Sequence, residues 1–278
     1  MSGRNAPDRR VSLMAAVILG LMLSFATCRA ATFSWPTTPA WTTGSPTNGS
    51  SQTVDYFTTG AQGISVTLAN NGVTWDPAFP AQASGNARTV TGGTSNATSS
   101  LQLGTSTTAA TTSYVQVTIN FNYTLGANNI SFNLWDIDFG GATSWVDQIS
   151  NIRATALGGG VVYATTLTAG TTNALAGTGA TAVFTGTAGN ANTSANGDVT
   201  IGFSQTVTSI SFDWANTAAT TRTTQYIGIS PITFTGIGTA FPEVNSSSAA
   251  LMLCGGVMGF GLVRRRRDAG RSPCHSHT

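Results

Sequence analysis

Val115-Gln116-Val117-Thr118-Ile119-Asn120-Phe121-Asn122-Tyr123 alternates apolar and polar side chains without interruption. Successive side chains of a strand point to opposite faces, so this run sorts its apolar residues onto one side and its amides and hydroxyl onto the other. A helix would scatter the same residues around its circumference; only a half-buried strand separates them. Val199, Ile201 and Phe203 repeat the pattern, as do Ile210, Phe212 and Trp214. Weaker bursts occupy Thr53 to Phe57, Gly63 to Leu68, Ser99 to Leu103, Val161 to Leu167 and Tyr226 to Phe234. No window between the two ends of the chain keeps helical spacing over three turns, and the abundant threonine is β-branched and favours strands. About ten to twelve short strands predict an all-β fold, an antiparallel β-sandwich or jelly-roll-like single domain over residues 51–237.

Residues 31–50, rich in Pro, Thr, Ser and Gly with Trp35 and Trp41, read as an irregular lead-in. Ile130 to Phe139 breaks the simple alternation, because Phe132 and Leu134 fall on one face and Trp135, Ile137 and Phe139 on the other. Either both faces are covered there or a bulge near Leu134 shifts the register, and a central strand is expected. Gly158-Gly159-Gly160 marks a hairpin turn between strand candidates. Ala169 to Asn196 holds little that could be buried and is expected as a long loop or a loose edge excursion. No fixed-period repeat is evident, which argues against a solenoid.

The two ends are different in kind. Residues 1–30 have the layout of a secretory signal: Arg4, Arg9 and Arg10, an apolar stretch from Leu13 to Phe25, then small residues. Cleavage after Ala30 would leave Cys28 and Ala30 at the two positions that must be small. Arg9-Arg10 invites a twin-arginine reading, but Val11-Ser12-Leu13 fits that pattern poorly and a Sec signal is expected. At the other end, residues 241–267 run from Phe241-Pro242-Glu243-Val244-Asn245 through an uncharged apolar helix, 249–263, to Arg264, Arg265, Arg266 and Arg267. The arginines are costly to move into hydrocarbon and stop transfer. The apolar run is shorter than the roughly 20 residues of a comfortable helical span, which suits a signal that is cut and discarded. Residues 268–278 read as a disordered tail.

The order Pro-Glu, apolar run, Arg cluster resembles the PEP-CTERM sorting signals of bacterial surface proteins, which an exosortase-type membrane protease processes. Pro242-Glu243-Val244 stands where those signals carry Pro-Glu-Pro, and Asp268 to Thr278 follow the arginines where they normally end. The resemblance implies export, transient membrane engagement through the C-terminal segment, and a processing enzyme as partner. An ordinary C-terminal single-pass anchor is the alternative. The series Asn129 to Asp138, Val207 to Asp213 and Gln225 to Phe234 is similar, loosely, to the β-sandwich domains that commonly precede cell-surface anchor signals.

Without these ends the composition changes. Between Ala31 and Pro242 stand three arginines (Arg88, Arg153, Arg222) and seven aspartates (Asp55, Asp76, Asp136, Asp138, Asp147, Asp198, Asp213), a balance of −4 against +2 for the whole chain. A nucleic-acid partner needs a basic face, and none can be built. Cys28, Cys254, Cys274, His275 and His277 all lie in the terminal segments, and the chain has no lysine. Disulfides, thiol or imidazole catalysis, zinc hydrolysis and Schiff-base chemistry are therefore excluded from the body of the protein.

Asp136, Asp138 and Asp147 form the most suggestive constellation. Asp136 and Asp138 are two apart, and a short loop returns Asp147 beside them. Carboxylates at such a corner, with Asn133 or Gln148 oxygens nearby, suit a hard cation such as calcium. The plainer reading is that they bond loop N–H groups or pair with Arg153. The same pair could be a glycosidase acid and base, although nothing else in the sequence supplies the cleft. Trp75 and Trp145 fall in expected loops, where a tryptophan face stacks on a sugar ring if it is exposed and packs on the sheet rim if it is not. The sequons at Asn96 and Asn192 are what chance provides in so Asn- and Thr-rich a chain. The expectation is a non-enzymatic surface or extracellular-matrix protein, structural or adhesive near an exopolysaccharide or cell-surface glycan. The alternative is a carbohydrate-binding module, with or without calcium, and the third reading is a glycoside hydrolase.

Overall fold

The alternating run becomes a strand, Tyr114–Phe121, in which Val115, Val117, Ile119 and Phe121 are buried and the residues between them are partly exposed. The computed structural model describes residues 28–57, 62–84, 89–93, 98–108, 112–218 and 224–237, which belong to one unit, Cys28–Gly238. Its strands are β1 (Cys28–Phe33), β2 (Ser51–Asp55), β3 (Ile64–Asn71), β4 (Val73–Trp75), β5 (Ala81–Ala83), β6 (Ser100–Thr108), β7 (Tyr114–Phe121), β8 (Ala127–Trp135) and β9 (Phe139–Gly141). They continue with β10 (Trp145–Ala156), β11 (Val161–Tyr163), β12 (Thr166–Ala169), β13 (Asn173–Ala176), β14 (Val183–Gly186), β15 (Val199–Phe203), β16 (Val207–Asn216), β17 (Gln225–Ile229) and β18 (Ile232–Ile237). The fold is all-β. Among the described residues no helix is long and apolar enough to cross a membrane.

Every pairing is antiparallel. One series runs β2–β3–β7–β16–β10, with β14 and β11 on the free edge of β10. The other centres on β8, which pairs β15 along one edge and β18 and β17 along the other; β12, β1 and β6 extend it outward. The two series join in one curled sheet where Val207 pairs Ala127. Their apolar faces meet: Phe132 of β8 stacks on Phe212 of β16 at 6.1 Å, and Phe121 of β7 lies 5.5 Å from Phe234 of β18. Each such buried side chain stabilises the fold by about 1.5–3 kcal/mol relative to exposure, and the core depends on no cross-link.

Several expectations change in detail. The described residues hold eighteen strands, because β4, β5, β9 and β11 to β14 are only three or four residues long, too short to show a period of two. The irregular lead-in contributes to the core. Trp35 and Trp41 are buried, their indole N–H groups donating to Ser230 O and Tyr56 Oη. Ala169 to Asn196 contains the β13–β14 hairpin, and Phe184, fully buried, pins it to Ile149 of β10. Of the two readings for Ile130 to Phe139, coverage of both faces holds. Leu134 and Trp135 are both fully buried, the second beneath Gly92 and Gly228. The bulge falls instead in the β8–β18 pairing beside Asn129, which has a left-handed φ of 48°. The glycine turn at 158–160 closes the β10–β11 hairpin as expected, with Ala156 N–H donating to Gly160 O.

Residues 1–27 and the sorting-signal residues Pro242, Glu243 and Arg264 to Arg267 lie outside the described residues. Cleavage after Ala30 would shorten β1 and leave Ala31, Thr32 and Phe33 paired with Phe234, Thr233 and Ile232.

Candidate functional site

β8 ends at Trp135 because Asp136 takes a left-handed φ of 67° and turns the chain out of the sheet. Ile137 N–H then bonds Gly197 O, and the β9–β10 hairpin brings Asp147 back so that its N–H donates to Asp138 O at 3.0 Å. Asp136, Asp138 and Asp147 therefore gather at one end of the sheet, as their spacing predicted, but they are buried to 6%, 4% and 1% exposure. Arg153 does not sit beside them; it lies farther along β10, opposite Ser211 and Tyr163.

Hydrogen bonding divides the three. Asp138 Oδ1 accepts the indole N–H of Trp145 at 2.8 Å, and its Oδ2 accepts the backbone N–H and the Nδ2 of Asn190. Asp147 Oδ1 accepts the indole N–H of Trp214 at 2.8 Å and the Nε2 of Gln225. These two carboxyls act as structural acceptors. Asp136 Oδ1, buried, has no partner. Most of the oxygens of Asp138 and Asp147 are thus committed to these donors, which leaves Asp136 with the free oxygen of the expected calcium set. Among the described residues no three acidic, His or Cys side chains form a metal-holding group.

Burial decides the protonation of this end. Desolvation, helped by the charge of Asp138, pushes Asp136 up to about 7. Asp198, which the sequence reading passed over, is pushed up to about 8 by burial and by the charge of Asp136. Asp147 is raised well above the usual carboxylate range, because complete burial outweighs the Trp214 bond that favours its charged form.

A cavity of about 190 Å³ opens here, lined by the three aspartates, Trp145, Asn190, Asn192, Thr224, Gln225 and Tyr226. Trp145 is half-buried at the start of β10, not in a loop, and its ring lies so close on Gly140 that a Cβ there would fall 2.2 Å from it. Gly186 likewise approaches Asp138 O so closely that a Cβ would lie 1.8 Å away, so the β14 end fixes the floor. Trp75 is corrected: it is 6% exposed in β4 and donates to Pro46 O at 2.8 Å, leaving no face for a sugar. A second cavity of about 200 Å³ beside Asp213 is less suggestive, because Gln116 and Asn151 already satisfy both oxygens of that aspartate. The sequence reading missed Asn190, Asp198 and Gln225, which come from distant strands and turns and carry no local signal. No protein-family model, curated protein or solved structure matches this chain.

Proposed function

We propose that this chain is an exported, non-enzymatic bacterial surface or extracellular-matrix protein, sorted through an exosortase-type C-terminal signal and structural or adhesive within an exopolysaccharide layer. Its body is read as a closed β-sandwich, the two strand series forming the layers. One observation supports this most: the body carries a full apolar core and a Thr-, Ser- and Asn-rich surface but no Cys, His or Lys between Ala31 and Pro242. Such a protein withstands export by packing alone and presents hydroxyls and amides to hydrated sugars.

Intact mass of the protein recovered from the cell surface or medium tests it. Loss of residues 1–30 and of the segment following Pro242-Glu243 is expected. Recovery of the uncut 28.4 kDa chain from the cytosol would overturn the reading.

A carbohydrate-binding role is favoured by Trp145, whose partly open indole stands at the mouth of a cavity about the size of one sugar ring. Trp145→Ala is expected to abolish retention on whichever glycan of an array binds the parent protein, whereas folded Trp75→Phe keeps it. An array on which nothing binds leaves the structural role. Hydrolysis is disfavoured because Asp138 and Asp147 hold indole N–H groups where a glycosidase needs a free acid and base.

A further inference from the structure

Four buried carboxyl and amide oxygens at this end have no partner: Asp136 Oδ1, Asp198 Oδ1, Asn190 Oδ1 and Gln225 Oε1. The two amide oxygens face this way for a reason. Asp147 takes the Nε2 of Gln225 and Asp138 takes the Nδ2 of Asn190, and a carboxylate accepts only from the N–H side of an amide. Each amide oxygen is thereby turned away from its own carboxylate. Gln225, at 4% exposure, and Asp136, at 6%, both line the cavity with Asn190. Asp198 follows Gly197, where a Cβ would fall 2.6 Å from Asn190 Nδ2, and it lies close enough to Asp136 for the two charges to interact. A buried acceptor left unbonded is costly, and four together call for a common partner.

The chemistry of that partner follows from what is absent. A sugar hydroxyl donates one hydrogen bond but needs donors in return, and four of the donors here are taken: the Trp145 and Trp214 indoles and the Asn190 and Gln225 amides already serve Asp138 and Asp147. A cation needs acceptors only. Two carboxylates and two amide oxygens, with water completing the shell, match the oxygen-only preference of calcium. Asp138 and Asp147 then stand behind the ligands and hold them in orientation.

We propose that Asp136, Asn190 and Gln225 on the cavity wall, with Asp198 behind them, form a calcium site, with Asp138 and Asp147 as its positioning residues. The site stands independently of the surface-protein reading. It differs from three convergent carboxylates, and it explains why only one of Asp136, Asp138 and Asp147 has a free oxygen.

The test is calorimetric titration of the full-length chain, stripped with EDTA, with calcium chloride. One saturable site is expected, with a dissociation constant of about 10⁻⁴–10⁻³ M, the range of extracellular modules. Asp136→Asn and Gln225→Ala should each weaken it at least about tenfold, and Asp213→Asn, in the other cavity, should leave it unchanged. Near-UV circular dichroism verifies that each variant is folded, and Asp198→Asn replaces either one that is not. No saturable binding up to about 10 mM calcium, or binding that folded variants retain, overturns the proposal. Neither result bears on where the protein resides.

Discussion

Replacing Trp214 with alanine is expected to cost about 3–5 kcal/mol of folding stability. The ring is 1% exposed in the middle of the β10–β16–β7 series, paired with Ile149 on one side and Val115 on the other. Alanine leaves a void that packed strands cannot collapse into. It also removes the N–H that Asp147 Oδ1 accepts at 2.8 Å, and an unsatisfied buried group adds about 1–3 kcal/mol. Trp214→Phe separates the two effects, since it keeps most of the ring and loses only the donor; about 1–3 kcal/mol is expected for it. Against a typical total of about 5–15 kcal/mol, the alanine variant should be close to unfolding at ambient temperature. Urea denaturation measures both variants. A loss below about 1 kcal/mol for alanine would mean that the indole is not the keystone between core and cavity.

The second expectation concerns pH and runs against the usual direction. Most proteins lose stability in acid because native carboxylates are held ionised. Here burial pushes Asp136 and Asp198 up to about 7 and about 8 when folded, against an ordinary aspartate value of 3.8 when unfolded. The folded state therefore holds protons that the unfolded chain has released. Their contribution is fully present below about pH 4, and it is lost as pH rises through about 7 and about 8. Asp147, raised by complete burial, acts in the same direction. After discounting for the solvent that reaches Asp198, the total is on the order of a few kcal/mol. In EDTA, the urea midpoint should fall between about pH 4.5 and about pH 8.5, and Asp136→Asn should flatten much of that slope. A midpoint that rises over this interval would show that these carboxyls ionise without penalty and that the cavity is wetter than its geometry indicates. Saturating calcium should reduce the fall, because a cation stabilises the ionised state that burial opposes.

Much of the fold can be read from the sequence wherever strands are long enough to repeat themselves. β7, β15 and β16 show their period of two over enough residues to exclude a helix, and all three pair as strands. The short strands were invisible for the same reason, since three or four residues cannot establish a period. Phe184 shows the limit well. It stands alone among Gly, Ala and Thr, and only the approach of β10 gives it a core to enter. Trp135 is similar. Its neighbours suggest a broken alternation, and what buries it is a turn around Gly92 and the backbone of β17.

For the site, spacing alone brought Asp136, Asp138 and Asp147 together, because a strand end and a tight hairpin leave the chain few other courses. It could not assign them roles. The indoles of Trp145 and Trp214 occupy two of the carboxyls, and Asp198, Asn190 and Gln225 arrive from elsewhere in the chain to surround the third. Composition by itself determined that the stretch between Ala31 and Pro242 carries no Cys, His or Lys, and alternation determined that it is built of strands, because both are properties of a residue and its nearest neighbours. Which oxygens are left unbonded, and which tryptophan keeps an open face, was decided only by tertiary structure. Those outcomes depend on donors and backbone that reach the site from strands far apart in the chain, and hydrogen bonding is settled by what is adjacent in space.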